Sequence, residues 1–515
     1  MDHGPVELTR EDVAAALRRL GLEKDELPWD SVLQVANHVL RQADEFLAGN
    51  PDPLRRKVVR RPVVRATHDD DPLNAIVHWC DVAGAGDGPL AGMRVAVKDI
   101  ISVAGVPITA GSPIFADAVP ELNASVVDLL LEAGARIVAT TNCEDMCMSA
   151  GGETSVFGTT LNPFDPTRTA SGSSGGSAAA LSYPQVDVAL GTDQGGSIRL
   201  PAAWCGVLGL KPTFGLVPYT GIMSMDKTLD YCGPLTRTAD DMARLMQVIA
   251  TPRAGDPRQA GVTAFGQDFL GAVRDAADSL AGLRVGVVAE ALPSADEFMA
   301  RTTRAFAAAM ESMREIGAEV AEVSLPEHTQ GNRIMFAVLV EGMAATAHTF
   351  GEGRLWRGDY RQDLADAFAA GFPAHGHKAS VAYLAMIAVG EHLRVSSAGR
   401  LYSSAQNNIP RIRSAYDRML DRYDVLAMPT ALHAAHRCGE GDLSPAEVAM
   451  RGWTMVGNTN VHNATGHPAL SVPLAEHDGL PVGVMLVGKH GDDARLVSIA
   501  RTLEATIGWR PQRAW

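Results

Sequence analysis

The 515-residue chain is 46% hydrophobic and carries 45 Lys+Arg against 60 Asp+Glu, a net charge of −15. Such a chain can bury a large core, and its acidic balance disfavours nucleic acid as a partner. No apolar run of about 18 residues is present to span a bilayer.

The opening MDHGPVELTRED has neither the basic nor the apolar stretch of a secretory leader. Six cysteines (Cys80, Cys143, Cys147, Cys205, Cys232, Cys438) are scattered without a C-x-x-C pair. They read as reduced, mostly buried thiols of a cytoplasmic protein, although the Cys143–Cys147 spacing could put that pair on one helix face.

In chain order, LTREDVAAALRRLGL predicts a helix capped by Thr9, with Asp12 three residues on and Gly21 as its stop. DSVLQVANHVLRQADEFLAGNP predicts a second, with Val32, Val35, Ala36, Val39, Leu40 and Ala43 on one face. Two amphipathic helices without strands imply an appendage whose apolar faces need cover, from the main body or from a second subunit. LRRKVVRRPVVR at 54–65 reads as a solvated basic connector. From about residue 90, strands alternate with helices: MRVAVKDI, then NASVVDLLLEAGARIVATTN, LRVGVVAE, YDVLAMPTAL and PVGVMLVGKH. Residues 331–420 are mostly helical in pattern. This alternation predicts an α/β fold with helices on both faces of a large mixed sheet. The expected division is a helical region at 1–85 and one catalytic domain at 86–515.

Two glycine–serine loops stand out, SGSSGGS at 171–177 and GTDQGGS at 191–197, joined by a short helix, a proline turn and a buried strand. Upstream, Lys98 ends the strand RVAVK. A serine hydroxyl attacks a carbonyl only with a base in reach, and a lysine can be that base only when uncharged, a state that burial favours. A second serine can carry the proton when the first is too far from the amine. The N–H groups of Gln194, Gly195, Gly196 and Ser197 could converge on one point, where an acyl oxyanion would sit.

These loops, with Lys98, resemble the amidase signature family of Ser–cis-Ser–Lys amidohydrolases. The family pattern G-S-S-G-G-S matches Gly172–Ser177, and G-T-D-x-G-G-S-[IV]-R-x-P matches Gly191–Pro201. The likeness covers roughly 88–250 and 420–505, and 255–415 only loosely. It implies a three-layer α/β/α sandwich. It also implies Ser197 as nucleophile, Ser173 as bridging serine on a cis peptide, and Lys98 as base. Asp193 and Arg199 fall on positions that hold the nucleophile loop, and Ser174 on one that fixes the other loop. Ala170-Ser171 stand where many members have Pro-Gly. By the same likeness TTNCEDMCMSAGG lies beside the acyl group, so Cys143, Met146, Cys147 and Met148 are expected in the substrate pocket. Gln194 either shapes the loop or also touches substrate.

The helical start, with PYTG and TNCED, is similar to acylamide amidases that act after nitrile hydratases, whose N-terminal helices build a homodimer. The expected activity is hydrolysis of aliphatic or aromatic primary amides, or of anilides or carbamates, with no cofactor or metal. The alternatives are an amidotransferase A-type subunit that frees ammonia from glutamine, and a non-catalytic binding module. His462 and His467 do not follow a Ser–His–Asp order or a G-x-S-x-G elbow, and His467 reads as a structural loop residue.

Overall fold

The computed structural model describes residues 7–22, 27–116, 118–292, 297–353, 356–439, 443–509, 512 and 515. Residues 1–6, the start of MDHGPVELTRED, lie outside the described residues. The chain divides into two compact units, Met1–Lys57 and Val58–Trp515.

In the first unit, the helix Arg10–Arg19 starts with the capping box that the sequence implies. Thr9 Oγ1 accepts from the Asp12 N–H at 3.2 Å, and the Asp12 carboxylate accepts from the Thr9 N–H at 2.8 Å. The second helix runs Trp29–Gly49. Asn37 ties it to Leu8 through both backbone groups, at 2.7 and 3.1 Å. Val35, Val39, Phe46 and Leu47 of this helix are each more than half exposed.

The second unit begins well before residue 86. Residues 63–65 and 76–83, expected within a helical region, form strands of the main sheet instead. That sheet has twelve strands: β1 (Val63–Arg65), β2 (Ile76–Ala83), β3 (Arg94–Lys98), β4 (Arg136–Thr141), β5 (Val188–Asp193), β6 (Leu208–Lys211), β7 (Tyr231–Thr236), β8 (Arg284–Val288), β9 (Glu319–Val323), β10 (Val425–Pro429), β11 (Ala469–His477) and β12 (Leu480–Val487). Their order across the sheet is β1-β2-β4-β3-β5-β7-β6-β11-β12-β10-β8-β9. β3 is parallel to β4 and β5, and β8 to β9 and β10, while the other neighbours are antiparallel.

Strand alternation separates two apolar cores. Val95 and Val97 of β3, with Val188 and Leu190 of β5, belong to one; Ala96 and Ala189 belong to the other. Both faces of the sheet are covered, which makes the unit a three-layer α/β/α sandwich. The same alternation sends Lys98 toward the side of Ala96, where Ala178, Ala179 and Ala180 pack. Residues 331–420 are helical as the pattern implied, in Gly331–His348, Gln362–His375, Val381–Ser396 and Arg400–Leu420. No helix among the described residues is long and apolar enough to cross a membrane.

Candidate active site

Lys98 is fully buried at the end of β3. Its Nζ donates to Ser173 Oγ at 2.7 Å and to Thr192 Oγ1 at 2.9 Å. The peptide bond between Gly172 and Ser173 is cis. Ser171, standing where a glycine is usual in the family pattern, adopts φ +69°. It is held there by its N–H to Thr169 Oγ1 at 3.1 Å and its hydroxyl to Ala150 O at 2.9 Å, which offset the steric cost of that backbone for a residue with a Cβ.

The second loop leaves β5 at Asp193 and turns into the helix Arg199–Cys205. Gly196 sits at φ +145°, and a Cβ there would meet Thr459 Oγ1 at 2.3 Å, so only glycine fits. Ser197 follows, 8% exposed. Among the described residues, the N–H groups of Gln194, Gly195, Gly196 and Ser197 donate to no protein atom. Nor does a hydrogen bond join the hydroxyls of Ser173 and Ser197 there. The loops are stitched by backbone instead: Ser174 N–H donates to Ser197 O at 3.2 Å, and Ser174 Oγ to Thr192 O at 3.1 Å.

Asp193 and Arg199, both fully buried, form a two-pronged ion pair, Nε to Oδ2 at 3.0 Å and Nη2 to Oδ1 at 2.9 Å. Burial works to raise the Asp193 carboxyl, but the Arg199 charge and its hydrogen bonds, with those of Asn463 and the Ile198 N–H, hold it at about 2. Arg199 also donates to Thr459 O and Asn463 Oδ1, each at 2.8 Å. Thr459 in turn donates to Gly195 O. The loop after β5 is therefore anchored to a segment some 260 residues away, and Thr192, Thr459 and Asn463 are partners that the motifs do not single out. Thr192 lies inside the GTDQGGS loop, whereas only the fold brings Thr459 and Asn463 to it.

Gln194 Nε2 donates to Tyr219 OH at 2.9 Å, and that hydroxyl donates to Met223 O at 3.0 Å. With the tyrosine proton committed to a carbonyl, the hydroxyl accepts from the Gln194 amide, which fixes the amide's orientation. Gln194 Oε1 is left buried without a partner.

Two cavities meet at the site. One, with about 420 Å³ of empty space, is lined by Met148, Gln194, Gly195, Ser197, Met335, Phe336, Leu339, Trp453 and Val456 among others. The other, about 550 Å³, takes in Phe115, Met146, Met343, Leu364, Phe368 and Tyr383. Cys147 and Met225 line both. Cys143, also buried, lines neither, contrary to expectation. The loop carrying these residues is gathered by the buried Glu144 carboxylate, which accepts from the N–H groups of Gly152, Glu153 and Thr154.

His462 is buried against Arg199, 3.4 Å from Nη1, and does not reach the serines. His467 is buried between Thr465 Oγ1 at 3.0 Å and Asp417 at 3.1 Å. With His490 these form a compact Asp417–His467–His490 group. Burial, with the Arg413 charge beside it, holds both imidazoles below their usual range.

A family model described as Amidase matches residues 79–497. The chain is 37% identical over 439 residues to the A-type subunit of the glutamyl-tRNA(Gln) amidotransferase of Halobacterium salinarum, covering 84% of this chain and 99% of that one. It is 36% identical over 452 residues to an enantioselective amidase of Rhodococcus rhodochrous, covering 86% and 85%. The crystal structure of the corresponding A-type subunit of the glutamyl-tRNA(Gln) amidotransferase from Thermotoga maritima superposes with a TM-score of 0.69 at 28% identity, over 86% of this chain and 90% of that one.

Proposed function

Because the chain belongs to the amidase family, we propose that it hydrolyses carboxylic acid amides with apolar acyl groups through an acyl-enzyme on Ser197. The observation that carries the reading is the buried Lys98 Nζ, 2.7 Å from Ser173 on the loop that abuts Ser197. With the amine uncharged, Ser173 donates to Nζ while Nζ still donates to Thr192, so Thr192 keeps the lone pair turned toward Ser173. Ser197 Oγ attacks the carbonyl carbon. Its proton passes to Ser173 and that of Ser173 to Lys98, once rotation of the Ser197 side chain closes the gap between the hydroxyls. The carbonyl oxygen, now anionic, takes the free N–H groups of residues 194–197, each such donor being worth roughly 3 kcal/mol of barrier. The leaving nitrogen takes the proton back from the relay, and the C–N bond breaks. Water then repeats the sequence on the ester and frees Ser197.

Gln194 Oε1 is assigned the substrate's amide N–H as its missing partner, an acceptor that favours primary amides over esters. Met335, Phe336, Leu339, Trp453 and Val456 suit an aliphatic or aromatic acyl group. The same lining speaks against the glutaminase reading raised by the tRNA amidotransferase relatives. Free glutamine carries an ammonium and a carboxylate, and among the described residues the cavity at Ser197 offers no charged side chain to either.

We also propose that the helical start pairs two copies through the exposed apolar face of Trp29–Gly49, and that the free thiols belong to a cytoplasmic enzyme. A solution mass of twice the chain supports the first of these; a monomer overturns it. The decisive test is ammonia release from a panel of acyl amides by the purified chain alone. Turnover of benzamide- or aliphatic-type amides without a partner subunit is expected. Turnover of glutamine only, and only with a partner, would reverse the assignment.

A further inference from the structure

The group Asp417, His467 and His490 has no part in the amide chemistry described. None of the three is among the described residues that line either cavity at the site. Three separate segments supply it. Asp417 stands in the last turn of the helix Arg400–Leu420, His467 two residues beyond the helix Val461–Thr465, and His490 three residues beyond β12. One carboxylate oxygen and two imidazole nitrogens there lie within 4.8 Å of one another. Asp417 Oδ1 is 3.1 Å from His467 Nε2 and 3.9 Å from His490 Nδ1. Nitrogen and oxygen ligands bound to one ion at about 2.0–2.2 Å stand roughly 3.3–3.6 Å apart in a tetrahedron, so a modest turn of the His490 ring closes the set.

The far nitrogen of each ring is held by the same residue. His490 Nε2 lies 3.1 Å from Thr465 O, and a carbonyl only accepts, so this nitrogen carries the proton. The neutral ring then turns the lone pair of Nδ1 toward the Asp417 carboxylate, one acceptor facing another. His467 Nδ1 is 3.0 Å from Thr465 Oγ1, a hydroxyl that can accept its proton in a hydrogen bond and so free Nε2 as a ligand. Such a partner on the outer nitrogen fixes ring and tautomer in histidine metal sites. The neighbouring cations are engaged elsewhere: Arg413 Nε donates to Thr465 O at 2.7 Å, Lys211 Nζ to Pro212 O at 2.9 Å, and Lys489 Nζ to Asp421 at 2.8 Å. Side-chain exposure rises from 0% at His467 through 34% at His490 to 49% at Asp417, which gives an ion its entry and leaves room for water.

We propose that Asp417 Oδ1, His467 Nε2 and His490 Nδ1 bind a divalent transition-metal ion of the zinc class, with water completing its shell. Two imidazoles select against magnesium and calcium, which take oxygen ligands. The ion serves structure rather than turnover. It clasps the helix Arg400–Leu420 and the end of β12 to the segment 461–467, whose Asn463 accepts from Arg199.

The test uses the purified full chain without an affinity tag, stripped by a chelator. It is titrated with Zn²⁺ by calorimetry and with Co²⁺ by visible absorption. One equivalent per chain is expected, with a Tm raised by a few degrees at saturation and no response to Mg²⁺. Asp417→Asn and His490→Ala, both at partly exposed positions, should each weaken Zn²⁺ by about 10–100-fold or more. The chain has 15 histidines, so a stray surface pair needs a control. His348→Ala, which removes the exposed His348–Glu391 pair, should leave the titration unchanged. A native chain that takes up no Zn²⁺ overturns the proposal. So does an equivalent that persists in both Asp417→Asn and His490→Ala, or one that is lost with His348→Ala. Turnover is not read, so failure of the proposed amide hydrolysis leaves this test intact.

Discussion

Ser197 stands between two walls of different make. On one side the loops 171–177 and 191–199 are buried and tied to their surroundings by hydrogen bonds of Ser171, Ser174, Ser177 and Thr192, with an ion pair, Asp193–Arg199, at their root. On the other side the helices Gly331–His348 and Pro445–Thr454 present Met335, Phe336, Leu339 and Trp453, carbon and sulfur without charge. The first wall tolerates little substitution, because its side chains Ser171, Ser174, Asp193 and Arg199 have directional partners. The second is bound by shape and volume alone, so it can be repacked without loss of the chemistry. Reaction and selectivity are thus physically separated around one oxygen.

The separation can be broken hardest at its polar side. Ser197→Ala and Lys98→Ala should each lower kcat for amide hydrolysis by roughly 10⁴-fold or more, with thermal unfolding little changed; ammonia release and calorimetry check both halves. Asp193→Ala leaves the Arg199 guanidinium buried without its counter-ion and should cost about 3–5 kcal/mol of stability, read from the denaturant midpoint. At the seam between the walls, Gln194→Leu should lower kcat/KM for a primary amide by roughly 10–100-fold, as expected for a lost hydrogen bond of about 1–3 kcal/mol. The ester of the same acid, having no N–H to offer, should lose much less.

The apolar wall sharpens the comparison with smaller effects. Trp453→Ala should lower kcat/KM for aromatic acyl amides about tenfold and leave acetamide nearly untouched. Least of all is a pH effect beneath Met225, where Ser224 donates to the buried Asp230 at 2.5 Å. Burial raises Asp230 from its usual 3.8 to about 7 against that hydrogen bond and the Arg258 charge. Between those values the folded chain holds a proton that the unfolded chain has lost, so this group's contribution to stability falls as pH rises through the window. Asp230→Asn should therefore shrink the loss of unfolding free energy between pH 5 and pH 8, by an amount on the order of 1 kcal/mol read from the denaturant midpoint.

The polar wall was legible in the residues because its parts are short and local: Lys98 at a strand end, Gly196 before Ser197, Ser174 beside Ser173. Asp193 and Arg199 were visible for the same reason. The apolar wall was not, since Met335 and Trp453 sit on helices with no motif, and only the fold brings them to Ser197. Distance hid Asn463 and Thr459 as well. In the sheet, β3, β5, β8 and β12 announced themselves as β-branched runs, whereas the three-residue edge strand β1 is embedded in a basic stretch. β2 interrupts its apolar alternation with His78 and Asp81, and so its residues read as part of the helical start. The Cys143–Cys147 spacing suggested a helix face; two left-handed residues, Met146 and Cys147 itself, decided otherwise.

The tie from Arg199 to Thr459 and Asn463 has a consequence for biosynthesis. β6 likewise pairs across to β11, Leu210 opposite Leu470. A nascent chain emerging from the ribosome carries Lys98, Ser173 and Ser197 by residue 197, but the brace for the loop of Ser197 comes some 260 residues later. The incomplete polypeptide thus goes without this brace until translation is nearly over.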